Sequence, residues 1–241
     1  MRVEIVPRVE GFAWDAERYE RAIQVANAMR PAFVVLGGDM TDDPASGEQL
    51  EELQRVTKLL DPEIPMRWVP GNHDAAADTV VPSRESLELY RQRFGPDRYA
   101  FGWGSAHFVV VNTTVFDHPE NVGGELEEQM AFLELELAKG AEHAAHTVLL
   151  GHHPLFVSHA DEEDTYWNLP RGVRRRILEL VHRYRVRVGF AGHWHRNAVA
   201  RDGGFEMVIS GPVGYPLGAD PSGYRIVDVD TDAIRHEYRP L

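Results

Sequence analysis

The chain of 241 residues contains no cysteine. A sequence without cysteine can form neither a disulfide framework nor a metal site with thiolate ligands. Its length is sufficient to bury a sizeable hydrophobic core in one large domain or two small ones. The absence of cysteine fits a reducing compartment, and we expect a cytoplasmic location.

Basic residues and long apolar runs are also scarce. The chain has 25 lysine and arginine residues against 38 aspartate and glutamate residues, which gives a formal net charge of −13. This excess of negative charge argues against a nucleic-acid or anionic-membrane surface, although bound metals would reverse the sign locally at a pocket. No apolar run approaches the length of a membrane span, and Met1-Arg2-Val3-Glu4 does not open a signal peptide. We therefore expect no nucleic-acid partner and no membrane partner, while the oligomeric state stays open.

Helical and strand patterns alternate along the chain. Apolar spacing predicts helices over 15–30, 47–60, 83–94, 126–137 and 173–184. Strands are predicted over 33–36, 66–70, 99–101, 107–112, 147–150, 186–190, 205–210, 224–229 and 233–239. No repeat or linker interrupts this order, so a single domain over 1–241 is expected. The order predicts an α/β fold with two facing sheets and helices outside.

Polar residues follow four of the predicted strands at the point where each strand ends. These residues are Asp39, the run Asn72-His73-Asp74, the pair His152-His153, and the pair His193 and His195. Each group is preceded by glycine, which suits a sharp turn or a close approach of backbone. Sites in α/β folds lie beyond the carboxyl ends of strands, so the four groups are predicted to form one site.

Three predicted loops are long enough to carry function. They cover residues 112–124, 157–170 and 211–223. Tyr166 and Asn168, in the loop after His152, are candidate substrate contacts. Arg171 and Arg196 are weaker candidates for contacting a phosphate.

The four polar groups carry a resemblance to a known family. Gly38-Asp39, Gly71-Asn72-His73-Asp74, Gly151-His152 and Gly192-His193-Trp194-His195, in this order, resemble the calcineurin-like metallophosphoesterases. Further segments look like one branch, the calcineurin-like phosphoesterase domain-containing proteins: Tyr166-Trp167-Asn168-Leu169, His195-Arg196-Asn197, Gly211-Pro212-Val213-Gly214 and Ser222-Gly223-Tyr224-Arg225-Ile226-Val227. The resemblance extends from about Trp14 to Leu241. It implies a four-layer α/β/β/α sandwich with two facing mixed sheets.

The resemblance implies a dinuclear metal centre that hydrolyses phosphoesters with a bridging hydroxide. By its pattern Asp39 bridges two divalent metal ions, while Asn72, His152 and His193 complete the shell of the second metal. His195 belongs to the first metal. Nitrogen and oxygen ligands without thiolate suit Mn, Fe or Zn, and the sequence does not choose among them.

Two further residues are implied to act on the substrate. His73 would steady the phosphoryl oxygens or protonate the leaving group, and Asp74 would orient His73. His153 is not required as a ligand, because only one histidine before Pro154 is needed, and it is expected to face the pocket.

One family motif is missing. The family opens with a strand ending in Asp-x-His, or Asp-x-Gln in this branch, and nothing before Asp39 matches it. We expect this strand to lie upstream of Met1, so that the chain as given lacks the first strand of its fold. The first metal then has only Asp39 and His195, and one metal is expected to bind firmly while the other binds weakly or not at all. Glu4 or Glu10 replacing the lost ligands is the alternative.

Several interpretations of function remain open at this stage. A phosphomonoesterase acting on a phosphoprotein or a phosphorylated small molecule is favoured. A phosphodiesterase would use the same centre. A non-catalytic or weakly active metal-binding protein with an incomplete first site is the alternative from another class.

Other charged groups are expected on the surface. Asp161-Glu162-Glu163-Asp164 is interpreted as a solvated loop, and Arg174-Arg175-Arg176 as the exposed side of a helix. The remaining histidines are interpreted as surface residues: His118, His143, His146, His159 and His236.

Overall fold

A computed structural model describes residues 11–76, 78 and 80–241. The helices in this part of the chain are α1 (Ala13–Met29), α2 (Gly47–Thr57), α3 (Asn72–Ala75), α4 (Arg84–Phe94), α5 (Thr113–Asp117), α6 (Glu125–His143) and α7 (Arg171–Arg183). The strands are β1 (Val34–Leu36), β2 (Met66–Trp68), β3 (Tyr99–Trp103), β4 (Ala106–Val110), β5 (His146–Leu150), β6 (Val188–Ala191), β7 (Ala198–Asp202), β8 (Phe205–Ile209), β9 (Gly223–Val229) and β10 (Ile234–Pro240).

A six-stranded mixed sheet forms the centre of the molecule. Its strand order is β3-β4-β5-β6-β8-β7. Strands β4, β5, β6 and β8 are parallel, whereas β3 and β7 pair antiparallel at the two edges. Parallel strands bring their carboxyl ends to one edge of the sheet. Residues just after β5 and β6 therefore lie side by side, and these include His152 and His193.

Helices α6 and α7 cover one face of this sheet. Leu133 and Leu137 of α6 and Ile177 and Val181 of α7 are all buried in one apolar cluster with Leu149 of β5. This cluster contains the large side chains that sequence periodicity placed on the inner faces of the two helices. Burial of side chains of this size stabilises the fold by about 1.5–3 kcal/mol each.

Shorter strands cover the other face of the central sheet. Strands β1 and β2 form a parallel pair, and Phe33 packs its ring against Phe101 and Phe108 of the central sheet at 5.2 Å from each. Strands β9 and β10 form an antiparallel hairpin, whose Val229 and Ile234 join the same apolar cluster. Among the residues described, these two pairs belong to separate sheets.

Helices α1 and α2 lie on the outside of the β1–β2 pair. Ile23 of α1 and Val56 of α2 are buried in a cluster that also contains Val34 of β1 and Met66 of β2.

The predicted α/β class with mixed sheets is confirmed. Residues 1–10, which lack an Asp-x-His or Asp-x-Gln motif, lie outside the described part of the chain. No helix within that part has the length and apolar character needed to cross a membrane.

Sequence periodicity missed three elements. Helix α3 has four residues and α5 has five, which is too short for an apolar repeat to show. Strand β7 was not predicted because Val199 and Arg201 point outward at the edge of the sheet. Helix α6 extends to His143, beyond the predicted end near Leu137.

Candidate metal centre

Two glycines allow three loops to meet at the carboxyl end of the strands. Gly38 has φ 101°, and a Cβ there would lie 2.8 Å from Cα of Gly71 and 2.4 Å from Nδ1 of His152. A Cβ on Gly71 would lie 2.1 Å from the backbone nitrogen of Asp39. Neither position has space for a side chain. The loops after β1, β2 and β5 are therefore in direct contact, which brings Asp39, the run Asn72-His73-Asp74 and the pair His152-His153 together.

Asp39, His152 and His193 form the cluster of candidate ligands. One ligand atom from each residue lies within 4.8 Å of the others. Both histidines are buried, and their rings are 5.1 Å apart. The structure thus brings together three of the residues predicted for the second metal, from the loops after β1, β5 and β6.

One ring nitrogen of each candidate histidine is hydrogen-bonded to a backbone carbonyl oxygen. His152 Nδ1 donates to Gly37 O at 2.8 Å, His193 Nε2 to Tyr166 O at 2.8 Å, and His195 Nδ1 to Tyr215 O at 2.6 Å. A carbonyl oxygen can only accept, so each of these nitrogens carries the hydrogen. The other nitrogen of each ring then presents a lone pair, which is the arrangement found in metal-binding histidines.

The contact between His152 and Asp39 requires a positive charge. His152 Nε2 is buried without a hydrogen-bond partner, yet it lies 3.0 Å from Oδ2 of Asp39. Two atoms with lone pairs at this distance repel each other unless a cation is shared between them. Burial is the largest single influence and lowers the pKa of His152, but Asp39, the Gly37 carbonyl and Asp74 together raise that pKa above its ordinary value. A divalent metal supplies the same positive charge, so these residues fit the metal that the resemblance implies.

The other two imidazoles are held neutral. Burial, assisted by the positive charge of His152, lowers the pKa of His193 to about 3. Burial also lowers the pKa of His195. Neutral imidazole is the form that binds metals, so neither residue has to lose a proton at neutral pH before it can bind.

Asn72 lies beside this cluster. It is buried and begins helix α3 between Gly71 and His73. His73, the next residue, donates its backbone N–H to Oδ1 of Asp39 at 3.0 Å. The structure therefore places all four residues predicted for the second metal in one region, and their role as ligands stays a prediction.

The ligands predicted for the first metal are fewer. Asp39 and His195 are both present, but His195 is not part of the group within 4.8 Å. The alternatives Glu4 and Glu10 lie outside the described residues.

The orientation of His73 by Asp74 is not what the structure shows. The Asp74 carboxylate accepts from three backbone N–H groups, those of Asp39 at 2.7 Å, Met40 at 2.9 Å and Gly71 at 3.0 Å. It therefore joins the loop after β1 to the loop after β2. Burial and the charge of Asp39 raise the pKa of Asp74 to about 7. Two of its three partners, Asp39 and Met40, come from a distant segment, and none of the three is the imidazole of His73.

His73 is oriented by a different group. Its Nδ1 lies 2.7 Å from the carbonyl oxygen of Asp42, to which it donates. Its side chain is 25% exposed. Nε2 is therefore the nitrogen left to contact a substrate at the mouth of the site.

Three candidate ligands have a left-handed backbone. Asp39, His193 and His195 have φ values of 55°, 59° and 54°. This conformation costs a residue with a side chain about 1–2 kcal/mol, and it recurs at functional sites. The left-handed conformation arises because these side chains point inward from tight turns.

In the loop after His152, Asp161, Glu163 and Asp164 are exposed as expected, whereas Glu162 is only partly exposed and anchors the loop. The Glu162 carboxylate accepts from Val157 N at 2.7 Å and Ser158 N at 2.8 Å. Asn168 is buried and donates to Glu162 at 2.6 Å, so it holds the loop and does not face a substrate. Burial opposes ionisation of Glu162, but hydrogen bonds from Ser158 and Asn168 lower its pKa to about 2.

Two arginines that were expected elsewhere also hold this loop. Arg174 is fully buried and donates to the carbonyl oxygens of Leu169 at 3.1 Å, Ala160 at 2.9 Å and Glu162 at 3.0 Å. The prediction that Arg174 is exposed was therefore wrong. Arg171 donates to Asp161 O at 2.5 Å, which ties it to the loop.

The remaining sequence candidates lie around the site or away from it. His153 is buried beside His193, with its Nδ1 3.0 Å from the Thr113 hydroxyl. Arg196 donates to Leu217 O at 2.7 Å. His146 and His236 were expected on the surface. His146 is buried, and His236 lies 2.8 Å from Glu206 with its side chain only 15% exposed.

Comparison with known proteins agrees with this geometry. A family model described as calcineurin-like phosphoesterase matches residues 13–197. The human serine/threonine-protein phosphatase CPPED1 is 34% identical over 241 residues, which cover 96% of this chain and 76% of that protein. The purple acid phosphatase PPD1 of yellow lupin has a TM-score of 0.70 at 17% identity, over 93% of this chain and 47% of that one. A dimetal phosphatase from Danio rerio has a TM-score of 0.57 at 16% identity, over 82% and 78%. The two solved structures show the shared fold.

Proposed function

The chain belongs to the calcineurin-like phosphoesterase family and is a metal-dependent phosphoester hydrolase, and we propose that it removes phosphate from serine or threonine side chains of proteins. The observation that carries the reaction class is the cluster of Asp39, His152 and His193. The substrate class is supported by the human relative, whose name describes a serine/threonine-protein phosphatase.

Five residues would hold two divalent metal ions. Asp39 has two carboxylate oxygens and would contact both ions. Asn72, His152 and His193 would complete the second site, and His195 would belong to the first. When bound, the ions lower the pKa of water and neutralise charge on the phosphoryl group. Mn, Fe and Zn all accept such a set of ligands, because imidazole nitrogen suits Zn and Fe while carboxylate oxygen suits Mn.

His73 is the residue proposed to act on the substrate. Its Nδ1–H is held by the Asp42 carbonyl, which leaves Nε2 directed away from that contact. A protonated Nε2 can donate to a phosphoryl oxygen or pass its proton to the leaving alkoxide. Serine and threonine alkoxides are poor leaving groups, so protonation by His73 matters more for them than for an aryl phosphate.

The proposal is tested by comparing three substrates with the Mn²⁺-loaded protein. A phosphoserine peptide, p-nitrophenyl phosphate and bis(p-nitrophenyl) phosphate represent the protein, small-molecule and diester classes. We expect the highest kcat/KM on the peptide, and we expect Asp39→Asn to abolish turnover of all three. A preference for the diester would support a phosphodiesterase instead.

A non-catalytic protein is the second candidate, and the small number of ligands at the first site favours it. Only Asp39 and His195 are available there in the part of the chain that the structure describes. Firm binding of one Mn²⁺ without hydrolysis of any of the three substrates would support this candidate over the phosphatase.

A further inference from the structure

Thr113 is a buried residue at the carboxyl end of β4, where it begins helix α5. Strand β4 pairs parallel with β5, so the loop after β4 reaches the same edge of the sheet as His152. No residue of this loop was predicted as a ligand. A Cβ on Gly151 would lie 2.7 Å from Cγ2 of Thr113, which shows that the loops after β4 and β5 are in direct contact.

The Thr113 hydroxyl makes three contacts with the two histidines that follow β5. It accepts from the backbone N–H of His153 at 2.8 Å and from that of His152 at 3.2 Å. Its third contact is Nδ1 of His153 at 3.0 Å. A hydroxyl has two lone pairs and one hydrogen, and the two backbone N–H groups occupy both lone pairs. The hydroxyl therefore donates its hydrogen to Nδ1 of His153.

This donation fixes the tautomer of His153. Because Nδ1 accepts, the hydrogen of the neutral ring is on Nε2, which lies 4.0 Å from the acceptor Oδ2 of Asp117. Neither nitrogen then has a lone pair left for a metal. The His153 ring lies 4.2 Å from that of His193, closer than the 5.1 Å of His152. In the described part of the chain, His152 nevertheless belongs to the ligand cluster and His153 does not.

The segment that carries Thr113 is firmly held. The backbone N–H of Asn112 donates to Oε1 of Gln129 at 2.6 Å, and its carbonyl oxygen accepts from Nε2 of the same side chain at 2.8 Å. The side chain of Asn112 donates to Asp97 at 3.1 Å, and all three residues are buried. Thr113 is therefore anchored to helix α6 and can impose its position on the turn at His152.

We propose that Thr113 is a positioning residue for the second metal. Its hydroxyl oxygen holds the backbone of His152, the candidate ligand, and its hydrogen keeps the lone pair of His153 from competing for the ion. The inference rests on the proposed function, since it assigns His152 as a ligand. Groups that orient metal ligands contribute about 10- to 100-fold to metal affinity.

The first test is Mn²⁺ affinity, measured by competition with a fluorescent chelator. Thr113→Val keeps the shape of the side chain and removes the hydroxyl, so we expect it to weaken the tighter Mn²⁺ site by about 10- to 100-fold. Thr113→Ser keeps the hydroxyl and should bind Mn²⁺ as the wild type does. Thr114→Val is the matched control, because the neighbouring Thr114 is equally buried and its Oγ1 has no hydrogen-bond partner among the residues described. It should leave the affinity unchanged.

Urea unfolding of the metal-free proteins separates a positioning role from a purely structural one. Thr113→Val leaves two buried N–H groups unpaired and should lower stability as well as affinity. If Thr113→Val were less stable but bound Mn²⁺ with wild-type affinity, the inference would be overturned. Weak binding by Thr113→Ser would also overturn it.

The second test needs only the folded wild-type protein, so it holds even if Thr113→Val does not fold. Long-range ¹H–¹⁵N NMR of the metal-free protein distinguishes the two neutral tautomers of histidine. We expect the hydrogen of His153 on Nε2, in a signal identified by its loss in His153→Gln. A hydrogen on Nδ1 would contradict the inference and leave the proposed function intact. If the wild-type protein binds no Mn²⁺, both fail.

Discussion

At the scale of single residues, backbone groups do most of the orienting in this centre. Three imidazoles donate to carbonyl oxygens of Gly37, Tyr166 and Tyr215, and the Asp74 carboxylate accepts from backbone N–H groups. The orientation of such a side chain depends on the conformation of the loop that supplies the backbone group. It depends less on the identity of the neighbouring side chains. Substitutions at the ligands and at their backbone contacts should therefore have separable effects.

His73→Ala should leave metal content unchanged and lower turnover of the phosphoserine peptide by about 10²–10⁴-fold, the range for general acid–base groups. Metal is retained because the contact of residue 73 with Asp39 is made by its backbone N–H, which alanine keeps. Elemental analysis and steady-state kinetics give the two values. Loss of metal would instead make His73 a ligand. His159→Ala, in an exposed part of the loop after β5, is the control and should match wild type.

Asp74→Asn should destabilise the fold and weaken metal binding. The amide keeps one acceptor oxygen and turns an NH₂ group toward backbone N–H groups of Asp39, Met40 or Gly71. Loss of buried hydrogen bonds to a charged acceptor costs about 1.5–3 kcal/mol each, so we expect a loss of about 3 kcal/mol in unfolding free energy. Urea unfolding measures it. Asp78→Asn is the control, since Asp78 accepts from Val80 and Val81 on the surface and should change little. If Asp74→Asn had wild-type stability but reduced turnover, the result would support the predicted role of Asp74 in orienting His73.

Residue types were predictable at this scale, and their partners were not. Asp39, His152 and His193 stood out because each follows a strand and a glycine. Asp74 gave no local signal of its contact with Met40, because the contact joins segments 34 residues apart. A polar side chain whose partners are backbone groups of another loop is invisible until the loops are placed.

At the scale of elements, the 157–170 loop and helix α7 act as one support. Arg174 is the buried side chain between them. The arginine run 174–176 was assigned to the outer face because charged residues rarely lie inside. Burial is tolerated here because the loop presents several carbonyl oxygens toward the guanidinium. The apolar periodicity of α7 was correct, and the exception arose from the tertiary contact.

Arg174→Met should loosen this loop. Methionine fills part of the volume but leaves carbonyl oxygens of Ala160, Glu162 and Leu169 without their donor, so we expect a loss of about 2–4 kcal/mol in unfolding free energy. The affinity for Mn²⁺ should fall as well, because Tyr166 is carried by the same loop. Thermal unfolding and chelator competition measure both. Arg175→Met, at the exposed neighbouring position, should alter neither. A stable Arg174→Met protein with normal Mn²⁺ affinity would show that the loop does not support the metal centre.

At the scale of the whole molecule, sequence order predicted the architecture well. Helix–strand alternation predicted the α/β class, and the strands predicted over 224–229 and 233–239 form the β9–β10 hairpin. The order of strands within the central sheet was not predictable. Strand β8 pairs with β6, and β7 lies at the edge of the sheet. This order depends on tertiary packing, and the local sequence pattern of the strands does not indicate it.

The whole chain should bind two metal ions unequally. The second site has Asp39, Asn72, His152 and His193 available, whereas the first has Asp39 and His195. Fewer ligands mean lower affinity, so titration calorimetry with Mn²⁺ should show one tight site and one weak or undetectable site. Two tight sites would contradict this expectation. In that case Glu4→Gln and Glu10→Gln would show whether either residue supplies the additional ligand.

The left-handed backbone at His193 and His195 positions candidate metal ligands but lowers the stability of the fold. Glycine adopts this conformation without the cost of about 1 kcal/mol that a side chain incurs. Among proteins evolved in the laboratory for heat resistance alone, His195→Gly should therefore be enriched, although it removes a candidate ligand, whereas His193→Gly should not, because it also empties the volume of a buried imidazole. The same library screened with Mn²⁺ present should reject His195→Gly, because bound metal stabilises only the folded protein that keeps its ligands. The two enrichment profiles would separate positions maintained for folding from positions maintained for chemistry.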